Sequence, residues 1–289
     1  MTKVLSRQEL SHLAREGWLK GIPILSPEQV KHYRSSLENF ERKYPDHVKK
    51  LKSKSHVLCP WVMDLARTPK VLDVYEDIVG PNIMLRNMAW RVKKNDGETF
   101  AGWHQDNVYG GNIAPRTIAG VVALSDCSSK AGCLRVIPRS HKWGNMPHQD
   151  FDDPTSILAR GQQISVEFDK SNAVDLELKA GEMALFDRGC IHGSSANTSD
   201  DRRIFVLMDY VPSFAVTEDG VKDSAMLIRG VDEHDHFYAE QAPEEEFSEA
   251  ALAEWNKVIQ HRARQIFGQS HLAVSEAYGG TRQAAYGLA

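Results

Sequence analysis

Apolar positions follow two rhythms along this chain. Over the first eighty or so residues they recur at helical spacing. From Ile83 onward they gather in short runs rich in Val, Ile, Leu and aromatics, divided by turn residues. In the helical part, "SRQE" from Ser6 and "SPEQ" from Ser26 both match the capping box, the second with Pro27 at the first helical position. Val30, Tyr33, Leu37 and Phe40 then fall on one helical face. A third helix is predicted over about 69–78, stopped by Gly80-Pro81. The later rhythm predicts strands near 83–93, 100–106, 117–125, 133–137, 173–178, 182–187, 190–194 and 203–211. Short strands punctuated by Gly, Asn and Asp point to a sandwich or barrel. A polar stretch over 138–172 interrupts them, and loops of that length inside a domain are commonly functional. After a second loop-rich stretch, 248–267 reads as a helix with Leu252, Trp255, Ile259 and Ile266 on one face. The tail beyond Gly268 shows no period and is expected to be disordered or a mobile cover.

Composition narrows the class of protein. With 42% hydrophobic and 26% charged residues, the 289-residue chain reads as an ordinary globular protein. A net charge of −4 gives no case for a nucleic-acid or anionic-membrane partner. The run "KKLKSK" (Lys49 to Lys54) reads as a solvated helix end. No apolar run approaches the roughly 20 residues that cross a bilayer, and the charged N-terminus does not read as a signal peptide. Cys59, Cys127, Cys133 and Cys190 show no disulfide or CxxC spacing, so free thiols and a cytoplasmic location are expected.

The chemistry begins with a tripeptide that occurs twice. "HQD" stands at His104–Gln105–Asp106 and again at His148–Gln149–Asp150. On a strand, residues i and i+2 share a face, so His104 and Asp106 are predicted to point the same way. An imidazole and a carboxylate make two thirds of the set that holds non-haem Fe(II) with positions left open. The best third ligand is His192, in "GCIHGSSAN", at an expected strand end. Arg203 begins a strand that can pair with the one carrying His192, and a guanidinium there can clamp a carboxylate. Ser194 would share the inward face of His192. Taken singly, each feature has a bland reading: a solvated turn for the His and Asp, a charged hairpin edge for Arg202 and Arg203. Their agreement favours a site. Pro147 and "FDDP" flank the second copy, which therefore reads as loop rather than as ligands.

The motifs "WHQD", "GCLRVIPRSHK" and "LKAGEMALFDRGCIHGSSANTSDDRRI", with the amphipathic N-terminal start, together resemble the phytanoyl-CoA dioxygenase family from about Leu5 to Tyr238. That resemblance implies a mainly β fold with flanking helices around a double-stranded β-helix, the cupin-like jelly roll. It implies a single domain: helical support over 1–82, a jelly-roll core over 83–212 with an insertion at about 139–172, and a C-terminal loop, helix and tail over 213–289. It implies Fe(II), 2-oxoglutarate and O2, with His104, Asp106 and His192 on the iron and Arg203 and Ser194 on the distal carboxylate of 2-oxoglutarate. Relatives that halogenate have a small residue in place of the carboxylate, so Asp106 favours hydroxylation. The family's usual "PGSH" is "PRSH" here, which puts a cation, Arg139, near the expected cavity mouth. Asn107, Tyr109, Arg139 and His148 are the candidate substrate contacts, and Trp90 and Trp103 are expected in the core or pocket wall. The expected substrate is a small charged metabolite, most sharply 2-aminoethylphosphonate. Alternatives are an acyl-CoA or natural-product intermediate, or a jelly-roll binding protein without catalysis.

Overall fold

The structure, a computed structural model, describes residues 2–109, 113–115, 117–218 and 220–267. The tail after Gly268 lies outside the described residues. In chain order the elements are α1 (Arg7–Glu16), β1 (Trp18–Pro23), α2 (Pro27–Lys43), α3 (Pro60–Ala66), α4 (Pro69–Val79), β2 (Ile83–Lys93), β3 (Ala101–His104), α5 (Asp106–Tyr109), β4 (Ile113–Ala114), β5 (Ile118–Ala123), β6 (Leu134–Val136), β7 (His148–Gln149), β8 (Gln163–Ile164), β9 (Val174–Leu176), β10 (Glu182–Asp187), β11 (His192–Ser194), β12 (Arg203–Pro212), β13 (Val216–Thr217), β14 (Ser224–Arg229), β15 (Tyr238–Ala239) and α6 (Glu249–Phe267). Both predicted capping boxes form, with Ser6 and Ser26 each accepting from the N3 backbone while Glu9 and Gln29 reach back.

Two sheets carry the fold. A seven-stranded sheet runs in the order β1-β10-β5-β12-β2-β14-β15, and a four-stranded sheet in the order β3-β11-β6-β9. The pairings are antiparallel except β14 with β15. The strand rhythm points to a sandwich or barrel and the family resemblance to a jelly roll; the fold is jelly-roll-like, with the large mixed sheet left unclosed.

The central strands separate two environments by alternation. Ile204, Val206, Met208 and Tyr210 of β12 pack with Leu37, Phe40, Val62, Val71 and Tyr75 of the helical layer. The intervening Arg203, Phe205, Leu207 and Asp209 line a cavity between the two sheets. β10 divides the same way, with Met183 and Leu185 toward the helices and Ala184 and Phe186 toward the smaller sheet. Two tyrosines tie the layers through backbone oxygens: Tyr75 donates to Met208 O at 3.0 Å and Tyr210 to Ala66 O at 2.6 Å.

Several expectations are corrected. The large sheet reaches beyond 83–212 on both sides, recruiting β1 and β14. β1 carries Lys20 and Gly21 in a six-residue strand, too brief and mixed for its sequence to show alternation. The Lys49–Lys54 run is not a solvated end. Lys50 lies over the Trp255 ring at 3.9 Å, and the fully buried Lys54 donates to Arg86 O, Ser224 O and Glu240. Arg139 takes the left-handed conformation (φ 65°) that a glycine would adopt without strain. Its guanidinium forms a two-pronged pair with Glu16 of α1, at 2.8 and 2.9 Å, and does not line the cavity. Trp90 is buried in the helical-layer core, and Trp103 is partly exposed.

The four cysteines are buried, and none forms a disulfide among the described residues. Burial pushes the thiols of Cys59, Cys127 and Cys133 up, to about 11 for Cys127 and about 12 for Cys133.

The helix-to-sheet core is a single packed layer, so a deletion within it should weaken the whole domain. Leu185→Ala, at a fully buried position, is expected to lower unfolding free energy by about 2–5 kcal/mol. Urea unfolding followed by circular dichroism reads this directly. An unchanged midpoint would show that β10 does not bear on that core.

Candidate metal centre and its cavity

Strand register assembles the site. β11 pairs with β3 so that His192 stands opposite His104, with ring centroids 4.1 Å apart. Each imidazole is fixed by its Nδ1: that of His104 lies 2.8 Å from Gly102 O and that of His192 2.9 Å from Cys190 O. A carbonyl can only accept, so both Nδ1 atoms carry the proton and both Nε2 atoms present lone pairs.

Asp106 reaches the same place by a route other than strand alternation. β3 ends at His104, and Asp106 opens the one-turn helix α5. The cause is a backbone contact: the N–H groups of Asp106 and Asn107 donate to Arg188 O at 3.0 and 3.3 Å, which draws the chain out of the ladder. Between the two ligands, Gln105 is buried and pinned. Its amide donates to Gly144 O and Gly189 O at 2.9 and 2.7 Å, and its side-chain oxygen accepts from Met146 N at 2.7 Å.

Asp106 Oδ1 is 3.5 Å from His104 Nε2 and 3.7 Å from His192 Nε2. The three ligand atoms all lie within 4.8 Å of one another. Ligand bonds of about 2.0–2.2 Å to one ion span the 3.5 and 3.7 Å separations from Asp106 to the two imidazoles. The chemistry of the donor set, two neutral imidazoles and one carboxylate, fits an iron(II) centre with open positions. Burial and the neighbouring His104 bring His192 down to about 4, so it is a neutral ligand at pH 7. Burial alone would raise Asp106, but His192 and His104 outweigh it and hold the carboxyl far below the usual range.

The cavity beside these ligands measures about 960 Å³ including its open mouth. Arg203 and Ser194 both line it. Arg203 is 1% exposed, and its Nη1 donates to Gly132 O at 2.9 Å. Its Nε is buried without a hydrogen-bond partner among the described residues. The guanidinium also lies over the Phe205 ring at 4.0 Å. The sequence reading missed the support beneath Ser194. Lys93, fully buried at the end of β2, donates to Ser194 O at 3.2 Å, to Ser194 Oγ at 2.7 Å and to Ser195 O. As an ammonium it spends all three protons on these acceptors, which leaves the Ser194 hydroxyl hydrogen to point elsewhere. Burial and the neighbouring Arg203 bring Lys93 down to about 7.

The candidate substrate contacts fare less well. His148 does not line the cavity; its Nε2 accepts from Gln105 N at 3.0 Å and its Nδ1 lies 2.7 Å from Met146 O. The second HQD therefore braces the first. Asn107 donates to Asn145 at 2.9 Å and is not part of the lining. The Tyr109 side chain lies outside the described residues. The lining instead draws on residues the sequence did not single out: Ile157, Leu158 and Gln162 of the insertion, Arg188, Asp209, and Arg262 of α6.

Alanine at His104, Asp106 or His192 is expected to abolish stoichiometric Fe(II) binding in an anaerobic titration. His148→Ala, which loses the brace on Gln105 N and the contact with Met146 O, is expected to retain it. Iron lost from His148→Ala with the first copy intact would reverse the assignment.

Comparison with known proteins agrees with the site. The sequence profile of the phytanoyl-CoA dioxygenase (PhyH) family matches residues 10–205. An ectoine dioxygenase of Nocardia farcinica is 24% identical over 236 residues, covering 72% of this chain and 79% of that protein. A probable alpha-ketoglutarate-dependent hypophosphite dioxygenase of Stutzerimonas stutzeri is 26% identical over 179 residues, covering 61% of this chain and 62% of its own. Among solved structures, the apo form of the non-haem monooxygenase ThoJ superposes with a TM-score of 0.79 at 24% identity, over 89% of this chain and 96% of its own. No described helix is long and apolar enough to cross a membrane. The matched span contains all three of these residues, two imidazoles and a carboxylate brought together from distant parts of the chain, and the chain belongs to the phytanoyl-CoA dioxygenase family as a 2-oxoglutarate-dependent non-haem iron dioxygenase.

Proposed function

We propose that the protein hydroxylates an unactivated C–H bond of a small charged metabolite, with His104, Asp106 and His192 as the iron ligands and Arg203 and Ser194 as the anchor for 2-oxoglutarate. The observation that carries this reading is the ligand trio with both Nε2 atoms turned to one point, beside a buried arginine with an unsatisfied N–H. When bound, iron, 2-oxoglutarate and O2 supply the oxidation: the cosubstrate becomes succinate and CO2, and one oxygen atom enters the substrate C–H bond. The chain's own task is placement. Gly102 O and Cys190 O hold the imidazoles, and Arg188 O holds the Asp106 backbone. Arg203 presents a guanidinium, and Lys93 turns the Ser194 hydroxyl hydrogen outward. Phe205, Leu207, Ile157 and Leu158 exclude water from the reacting centre.

The charge of the lining supports a small charged substrate. Arg91, Arg188, Arg203 and Arg262 face the cavity against Asp106 and Asp209. The named activity of the Stutzerimonas relative on hypophosphite, a small anion, points the same way. A long acyl-CoA is disfavoured, because Lys50 and Lys54 of the one basic run are buried inside the protein and do not form a phosphate-binding face. Aminophosphonates such as 2-aminoethylphosphonate are the sharpest form of this reading.

Anaerobic addition of Fe(II) and 2-oxoglutarate is expected to give a weak visible charge-transfer band, and admission of oxygen to release succinate. A protein giving neither is a jelly-roll binding protein and not an oxygenase. A second expectation concerns pH. Lys93 is charged below about 7 and loses its proton above it. The dianionic cosubstrate should therefore bind more tightly on the acid side and weaken as pH rises through 7 to 9, with proton uptake on binding. Titrations in buffers of different ionisation enthalpy check this. An affinity for 2-oxoglutarate that does not change with pH, and is matched by Lys93→Met, would remove Lys93 from the anchor.

A further inference from the structure

The cavity has two charged ends on one strand. Arg203, Phe205, Leu207 and Asp209 are alternate residues of β12, and all four face the cavity. Six residues of extended chain span about 20 Å, so Asp209 lies far from the Arg203 end. At its own end Asp209 stands opposite Asn87 on β2 and Ala119 on β5, and both of these also line the cavity.

Asp209 is 2% exposed, and its two oxygens are used unequally. Oδ2 takes Arg86 Nη1 at 3.1 Å and Arg188 Nη1 at 3.4 Å. Oδ1 is buried and has no hydrogen-bond partner among the described residues. The same wall carries guanidiniums: Arg188, and Arg262, whose Nη1 lies 3.8 Å from Asp223 Oδ2.

We propose that this end of the cavity is the substrate-recognition site and that it takes a small zwitterion. The substrate's ammonium donates to Asp209 Oδ1, and its acid group lies against Arg188 and Arg262. The assignment rests on the reading that 2-oxoglutarate occupies the Arg203 end. The charges exclude simpler ligands. A plain anion leaves a buried carboxylate oxygen without a donor, and a plain cation makes no use of the Arg188 and Arg262 guanidiniums that line the same wall beside their carboxylate partners. A molecule carrying both charges answers both groups. Arg188 also links this end to the metal: its carbonyl accepts the N–H groups of Asp106 and Asn107, and its Nη2 donates to Asp106 O at 3.3 Å. It is a positioning residue for the iron ligand as well as a substrate contact.

The test uses matched compounds on the Fe(II)- and 2-oxoglutarate-loaded enzyme without oxygen, read by thermal shift and by change in the visible band. One set is 2-aminoethylphosphonate, ethylphosphonate and ethylamine; a second is β-alanine, propionate and ethylamine; ectoine is a further zwitterion. At least one zwitterion should bind about 10- to 100-fold more tightly than both of its truncated partners, the scale of one lost charged hydrogen bond. Asp209→Asn should narrow the gap between amine and deaminated compound tenfold or more, with circular dichroism as its control for folding. If Asp209→Asn does not fold, the wild-type series still decides. No zwitterion binding above its partners, or a gap untouched by a folded Asp209→Asn, overturns the assignment. Failure of the oxygenase reading is seen separately, as the absence of both the band and succinate.

Discussion

The register of β11 against β3 is the constraint on which the rest depends. It sets His192 opposite His104, two residues 88 positions apart in the chain (192 − 104), with rings in contact. Side chains alternate with a period of two, so a slip of one residue would turn one imidazole away from the other. The register is held from both sides, because His192 also pairs with Val136 of β6. An irregularity between His192 and Ser194 then brings Ser194 opposite Ala101. Both residues face the cavity as a result.

Around that pair the protein keeps an unusual amount of charge out of water. Arg86, Lys54, Asp223, Asp209, Arg188, Arg203 and Lys93 are buried or nearly so. Isolated, each would be costly; here most share partners, as Arg86 does with Asp209 and Asp223. Their burial depends on the sheet. Alternation on β12 gives the helical layer its apolar face and the cavity its polar one. Packing and chemistry are thus two sides of the same four central strands.

Much of this was legible in the sequence. The capping boxes at Ser6 and Ser26 and the strand rhythm after Ile83 follow from local pattern, and His104, Asp106 and His192 as candidate ligands follow from their motifs and the family resemblance those motifs carry. What escaped was non-local. Nothing near Asp106 announces that Arg188 O will take its N–H, so the sequence predicts strand where the structure has a helical turn. Lys49–Lys54 looks like a solvated run because its partner Glu240 lies nearly two hundred residues away. Arg139 looked like a cavity cation because the glycine it replaces occurs in a motif. Its partner Glu16 belongs to a different element, and the pair draws it to α1. Asp209 and Arg262 sit in an apolar strand and an amphipathic helix, where a lone charge has no local signature.

The buried thiols bear on the reactivity of the cavity wall. Cys127 and Cys133 pack in the small cluster with Phe186, Phe205 and Leu134, which form the cavity wall. The thiolate is the form that oxidants and electrophiles attack. With both groups pushed well above neutral pH by burial, almost none of it exists in the folded protein. The wall of the cavity is thus backed by two thiols that burial holds in their protonated form, the less nucleophilic of the two.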